Sequence, residues 1–379
     1  MAYTEWTADD ALKNQWWSAA VFKFGQQRSV FARMFSDVLN VMQNARGVDI
    51  SSSEDALCQI KTEFGKQKGT KCTWALVNDL EGEGRNNDDD VRGEEERLET
   101  YDFSAELFGT ANAVISKGKL SEMRVKLDFV QTAIRALGAW HGKKIDKLSL
   151  AALSGLASAD GLISAVAPST NRKWVGGQTS AGVISHATDN LDANLTATAT
   201  SGLFGTAVIS TVKRKAVATE PIIRPIIADG EEIYVMLIDP LQAKALKAET
   251  AWLEAQRHAN IRGLKNPIFS GALGMYDGVV IHEWPRIAKR LGAGGETADE
   301  YFDSGDPLAN TVRAARALFC GAQALVHGYG QMPDTVVDDT IDYRRRTGVM
   351  TDSILTVAKP KFNDEDYGVM VVDTTVVAD

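Results

Sequence analysis

Cysteine is scarce in this chain: Cys58, Cys72 and Cys320 are widely spaced, and they are the only three in 379 residues. So few thiols, odd in number, exclude a disulfide framework and fit a reducing compartment. The five histidines, His141, His186, His258, His282 and His327, stand without partners at metal-ligand spacing, so neither a metal nor another cofactor is implied. No window approaches the roughly 20 apolar residues that a membrane-spanning helix needs. The opening "MAYTEWTADDALKNQWW" lacks the basic and apolar regions of a secretion signal. A soluble chain made in the cytosol, with no membrane partner, is the expectation. Positive charge is also in deficit, with a net charge of −9. That argues against a protein whose main task is to grip nucleic acid through a basic face.

The familiar catalytic signatures are missing as well. Neither "SKGKLS" nor "FGKQKG" has the spacing of a phosphate loop, and His282-Glu283 is followed by "WPRI" rather than by a second histidine. No glycine stands two residues before Ser180, so "GGQTSAG" is not a nucleophile elbow. The stretch "FSGALGMYDGVVIHEW" first resembles an active-site loop, yet Asp277 and His282 have no third member. Its glycines, Gly271, Gly274 and Gly278, together with Tyr276, read better as a turn-rich loop that feeds a β-element.

What is present is a length sufficient for one large or several ordinary domains, and a patterned one. The first 48 residues form an arm with short helices, crowded with Trp6, Trp16, Trp17, Phe22, Phe24, Phe31 and Phe35. So many aromatics need a partner surface. "TKCTWALVNDLEG" and "RLETYDFSAELFG" alternate every second residue, with Tyr101, Phe103, Ala105 and Leu107 on one face, and predict a long hairpin. Between them lies the acidic, glycine-punctuated tip Glu81 to Glu96, including Glu94 and Glu95. It reads as a solvated face, with cation binding as the weaker reading. A lone two-stranded ribbon is marginal in water. Trp74, Leu76, Tyr101, Phe103 and Leu107, with Trp16, Trp17 and Phe31 of the arm, are therefore expected to be covered mainly by other subunits, and Glu94 and Glu95 of the tip to lie at the same subunit interface.

The spacing of Leu120, Met123, Leu127, Val130, Ile134 and Leu137 predicts a long amphipathic helix over about 120–145, capped by Ser121. Proline at Val130 is expected to abolish folding. Residues 157–220 read as a loop-rich, exposed insertion; without a secretion signal the Asn194 sequon carries no weight. "EIYVMLIDP" predicts a buried strand, followed by a helix capped at Asp239-Pro240 whose stripe is Leu241, Ala245, Ala248, Trp252, Ala255 and Ala259. A further helix is expected over about Pro307 to Tyr329, then β-rich segments to the end. Strands and helices mix without a βαβ period, which gives an α+β class.

"GEEERL", "LSEMRVKLDFVQTAIRALGAW", "YVMLIDPLQAKAL", "NPIFSGALGMYDGVVIHEW", "ARALFCGAQALVHGYG" and "KPKFNDEDYGVMVVDT", in that order, resemble the major capsid proteins of N-four-type tailed bacteriophages. The resemblance implies a Hong Kong 97-like capsid fold and no catalysis. Carried onto this chain it gives an N-terminal arm (1–60), an extended hairpin or E-loop (61–118) and a peripheral domain with spine helix and insertion (119–219). An axial domain (220–345) and a return to the peripheral sheet (346–379) follow. It also implies hexamers and pentamers in an icosahedral virion shell around double-stranded DNA, bound without sequence specificity. Assembly would occur in the host bacterial cytoplasm, with a separate scaffolding protein, a portal and decoration proteins as candidate partners. A nanocompartment shell of the encapsulin type, and an oligomeric enzyme using Asp277, His282 or Cys320, are the competing readings.

Overall fold

The computed structural model describes residues 11–29, 31, 56–61, 70–77, 100–119, 123–124, 128–158, 160–164, 166–177, 203–228, 231–258, 273–284, 289–290 and 314–376. Helix α1 (Ala11–Arg28) opens the chain and strand β1 (Cys58–Lys61) follows. Among the described residues, strands β2 (Lys71–Val77) and β3 (Thr100–Glu106) pair only with each other, in the predicted antiparallel ribbon. After Leu107 the chain continues directly into β4 (Phe108–Ile115).

The long helix α2 runs from Phe129 to Ser154, later than its apolar spacing suggests. Asp128 caps it by accepting from the Val130 and Gln131 amides at 3.0 and 3.4 Å. Gly155, in the left-handed conformation with φ 73°, closes the other end. Met123, placed on the stripe by the sequence, is 85% exposed and lies before the helix. Leu120, Ser121 and Leu127 lie outside the described residues. Ile134 and Leu137 are buried against α1, and Val130 packs beside them.

The corrected start changes the proline expectation. Val130 sits in the first turn, where a missing amide breaks no intrahelical bond. Val130→Pro should cost only the cap bond, about 1 kcal/mol. Ala136→Pro, on the exposed face two turns in, should cost about 3 kcal/mol or more. Urea unfolding of both variants checks this; equal losses would put the helix start back near residue 120.

Strand β5 (Lys173–Val175) and helix α3 (Thr206–Ala218) fall within the stretch read as an exposed insertion. In fact α3 buries Val208, Ile209, Val212 and Ala216, so it is core. Next come β6 (Ile226–Ala228) and β7 (Glu231–Ile238), then α4 (Pro240–Ala248) with the predicted Asp239 cap and Pro at its first position. A break at Glu249 starts α5 (Thr250–His258), so the expected single stripe is split. Ala243, Leu246 and Trp252 are buried, whereas Ala248 and Ala255 are exposed.

Strands β8 (Gly274–Tyr276), β9 (Val279–Glu283) and β10 (Lys289–Arg290) precede the largest correction. Where a helix was expected, β11 (Ala314–Cys320) and β12 (Leu325–Asp338) form. Strands β13 (Gly348–Ala358), β14 (Lys361–Phe362), β15 (Glu365–Asp366) and β16 (Val369–Thr375) complete the chain.

Two sheets carry the fold. One has the order β1-β12-β13-β4 and is backed by α1 and α2. The other has the order β5-β16-β11-β7-β9-β8, with β6 and β10 added to β7 and β11. Strand pairing places β12 and β13 in the first sheet, and β11 and the C-terminal β16 in the second. Its middle strands are apolar on both faces. Val235, Leu237, Leu318, Cys320, Val369 and Val371 face α2, while Tyr234, Met236, Phe319, Met370 and Val372 face α3, α4 and α5. Central strands of this kind show no period-two alternation in sequence.

Candidate assembly interface

The ribbon is anchored at its base. Cys72 and Trp74 are fully buried and pack on Val326 of β12, with Phe103, Ala105 and Leu107 beside them. Trp74 stands across from Phe103 in the ladder, with ring centroids 6.2 Å apart. Gly328 makes the seat, because a Cβ there would meet Cys72 Sγ at 3.0 Å and the Trp74 ring at 3.3 Å. Phe103 also touches Phe362 and Tyr367.

These contacts correct the expectation for Trp74, which its own chain covers. A charge at Trp74 would damage the subunit itself, not a contact between subunits. Phe31 is likewise buried within the chain, against Trp284 at 6.2 Å between ring centroids. Phe22, edge-on to Tyr329 at 6.1 Å, also finds its partner surface in cis, where α1 lies across α2 on small residues. Trp17 is half-buried in that packing. Phe103 and Leu107 stay partly open. The side chains of Trp16, Leu76 and Tyr101, all of Glu94 and Glu95, and Gly271 lie outside the described residues.

The α1–α2 crossing depends on close backbone approach. A Cβ on Gly142 would come 2.4 Å from the Gly25 carbonyl oxygen, and one on Gly138 would come 2.7 Å from Phe24 Cβ. Gly142→Ala should lift α1 off α2 and cost about 1–3 kcal/mol, the usual range for overpacking. Faster proteolytic cleavage in α1, measured against an Ala136→Ser control, would check this; an unchanged cleavage rate would show that α1 is not seated here.

Away from the ribbon, the outer face of the first sheet is apolar and exposed. Ile115, Val336, Met350 and Ile354 are 57%, 40%, 41% and 38% exposed. They share the face opposite α1 and α2, where Val336 pairs with Met350 across the ladder. This row was legible only as alternation in "GVMTDSIL", and the sequence reading did not single it out. It is a surface suited to contact with another protein.

The loop of glycines becomes a hairpin. Asp277 and Gly278, with φ of 51° and 71°, turn β8 back along β9. Lys213 donates to the Asp277 carbonyl at 2.6 Å, and Tyr276 packs beside Trp252 with centroids 6.4 Å apart. Gly274 begins β8. Asp277 is thus engaged in a turn, and His282 sits buried in β9.

Cys320 and His327, once expected on a single helix, sit on separate strands. Burial pushes the Cys320 thiol up to about 12, which keeps it protonated and unreactive at neutral pH. Among the described residues no group of three His, Cys, Asp or Glu side chains is placed to hold a metal, and none of their helices is long and apolar enough to cross a membrane. The described geometry offers contact surfaces.

Comparison with known proteins agrees. The phage capsid protein family matches residues 5–378. The major capsid protein of Pseudomonas phage KPP25 is 27% identical over 351 residues, 86% of this chain and 88% of that protein. Among solved structures, the capsid of Ralstonia phage GP4 superposes with a TM-score of 0.71 at 24% identity, covering 100% of this chain and 96% of that one. The cyanophage Pam1 capsid follows at 0.63 and 20% identity, covering 100% and 97%. An anchored ribbon, an uncovered sheet face and matches that run the length of the chain converge: it belongs to the phage capsid protein family, as a major capsid subunit with the Hong Kong 97-type fold.

Proposed function

We propose that this subunit closes into an icosahedral shell of hexamers and pentamers around double-stranded DNA, with the ribbon of each copy lying on a neighbour. The ribbon carries the reading. Its described base packs on its own chain, and 22 residues separate Val77 from Thr100 beyond the last described pair. A two-stranded ribbon of that length gains stability only against another surface. In that arrangement Phe103, Leu107 and the acidic Glu94 and Glu95 meet a neighbouring copy, and the β8–β9 turn with Tyr276 and Gly278 belongs to the axial part. A net charge of −9 suits a wall that encloses DNA without adhering to it.

The subunit is a virion component that associates with itself. Assembly in the host cytoplasm on a separate scaffolding protein, around a portal, with room for decoration proteins, extends this reading. Electron microscopy after size-exclusion chromatography, with light scattering for mass, tests it. Closed shells or capsomer rings are expected, and a monomer at every concentration, even with co-expressed scaffold, would overturn it. Particles holding an enzyme cargo and no DNA or scaffold would move the assignment to a nanocompartment.

A further inference from the structure

At the far end of the first sheet, two loops meet to form a basic cleft of about 460 Å³. Lys117, Lys119 and Arg124 come from the chain after β4, and Arg345 and Arg346 from the turn before β13. Asp342, paired with Arg346 at 3.5 Å, is the one acid among the described lining residues. The cleft is built rather than incidental. The Ser116 amide donates to the Thr347 carbonyl at 2.8 Å, and Gly118 approaches the Arg345 carbonyl. Asp342 and Tyr343 hold the turn in left-handed backbone, both at φ 52°, a conformation rare outside glycine. Arg345 and Arg346 donate their amides back to Asp342 and Ile341 at 3.0 and 3.3 Å.

A concentration of positive charge is out of character for this acidic chain. Its complement is in the same sequence: residues 81–96 hold eight acids against two arginines. We infer that the cleft receives the acidic segment 81–96 of a second copy of the chain. This rests on the capsid reading and says where the ribbon docks.

The topology turns the described ribbon away from the cleft of its own chain. Phe108 of β4 opposes Leu355, and Ile115 opposes Gly348. β3 leads on from Phe108 the other way, past Phe362, so the ribbon leaves from the end of the sheet opposite the cleft. From Thr100 to Ile115 the strand path is roughly 50 Å at about 3.4 Å per residue. A limb of half the 22 intervening residues reaches at most about 40 Å. In one copy the ribbon therefore leaves at one end of the sheet and the basic cleft lies at the other. Such a head-to-tail contact is not self-complementary, and repeated with a closing rotation it generates a ring. Several charges acting together also escape the weakness of single exposed ion pairs.

A charge swap in the full-length chain tests this. Lys119→Glu/Arg345→Glu, both exposed, should leave the subunit folded by circular dichroism and cut the sedimenting particle yield about tenfold. Adding Glu94→Lys/Glu95→Lys/Glu96→Lys should restore most of it, because a true pair couples. Unchanged particles in the first variant would overturn the inference and leave the capsid reading intact. Normal particles that package less DNA would overturn it too, assigning the cleft to the genome.

If the unmodified chain forms no particle under any condition, the capsid reading falls, and a labelled peptide of residues 81–96 decides the docking separately. Binding that weakens with salt and drops about tenfold in the reversed variant supports it. Absence of binding ends it.

Discussion

Arg316→Met should destabilise the isolated subunit by about 3–5 kcal/mol, the usual cost of removing one partner from a buried ion pair. Arg316 and Asp373 face each other across the β11–β16 ladder, 1% and 0% exposed. Nε and Nη2 donate to the two carboxylate oxygens at 2.8 and 3.0 Å, the bidentate geometry that arginine favours. Nη1 donates to the carbonyl of Ser154, the last residue of α2, at 2.5 Å. One side chain thus ties the C-terminal end of the long helix to the centre of the second sheet. Methionine fills the space but leaves the Asp373 carboxylate without its cation and the Ser154 carbonyl without this donor. Arg316→Met/Asp373→Leu should recover most of the loss, since an apolar pair of similar volume serves as well as a buried ion pair. Urea midpoints of the three proteins provide the check. A loss below about 1 kcal/mol in the single variant would mean that solvent reaches the pair.

That tie explains how the two sheets act as one body. Val235, Leu237, Leu318 and Val371 of the second sheet share a cluster with Leu148, Ala151 and Leu153 of α2 and with Leu325 and Leu355 of the first. The uncovered apolar row and the basic cleft are then carried on a rigid frame, as an assembling subunit requires. Burial lowers the Lys359 ammonium despite its 2.7 Å bond to Asp366, so the β14–β15 corner holds a second buried pair. Phe103 of the ribbon packs next to that corner.

The ribbon was legible because its alternation survives wherever one face is covered and the other is not: Cys72 and Trp74 are buried, Lys71 and Thr73 exposed. The Asp239 cap was legible because its chemistry is local. The failures have separate physical causes. "ARALFC" and "ALVHGYG" sit in strands buried on both faces, so their unbroken apolar run matches a buried helix as well as a strand. The start of α2 was misplaced because Met123 fits the spacing, while Asp128 decides the boundary by taking two amides. The basic cleft was invisible because Lys119 and Arg345 are remote in sequence and meet only through the β4–β13 pairing. Trp74 was assigned to a neighbour because a sequence does not show that Gly328 leaves a seat for it.

Acid should weaken the subunit through two histidines that the fold holds neutral. Ser149 donates its hydroxyl proton to the Ile145 carbonyl at 2.8 Å, so its oxygen accepts from His327 Nε2 at 3.0 Å. The hydrogen-bond pattern therefore places the His327 proton on Nε2 and leaves Nδ1 buried, with no hydrogen-bond partner among the described residues. A second proton would have to enter there, and burial lowers the pKa to about 4. His141, bonded through Nε2 to Ser353 at 3.2 Å and packed under Gly25, is lowered to about 4 for the same reason. Because the folded pKa lies below the ordinary 6.5, the unfolded chain takes up these protons first, and stability falls as pH drops from about 6.5 toward 4. At 1.36 kcal/mol per pH unit, each histidine withdraws up to roughly 3 kcal/mol over that window. Urea unfolding of the isolated subunit at steps between pH 7.5 and 4.5 should show this slope. His327→Leu should remove about half of it while keeping the Ser149–Ile145 bond. An equally steep decline in His327→Leu would show that carboxylates, not these imidazoles, govern the acid response.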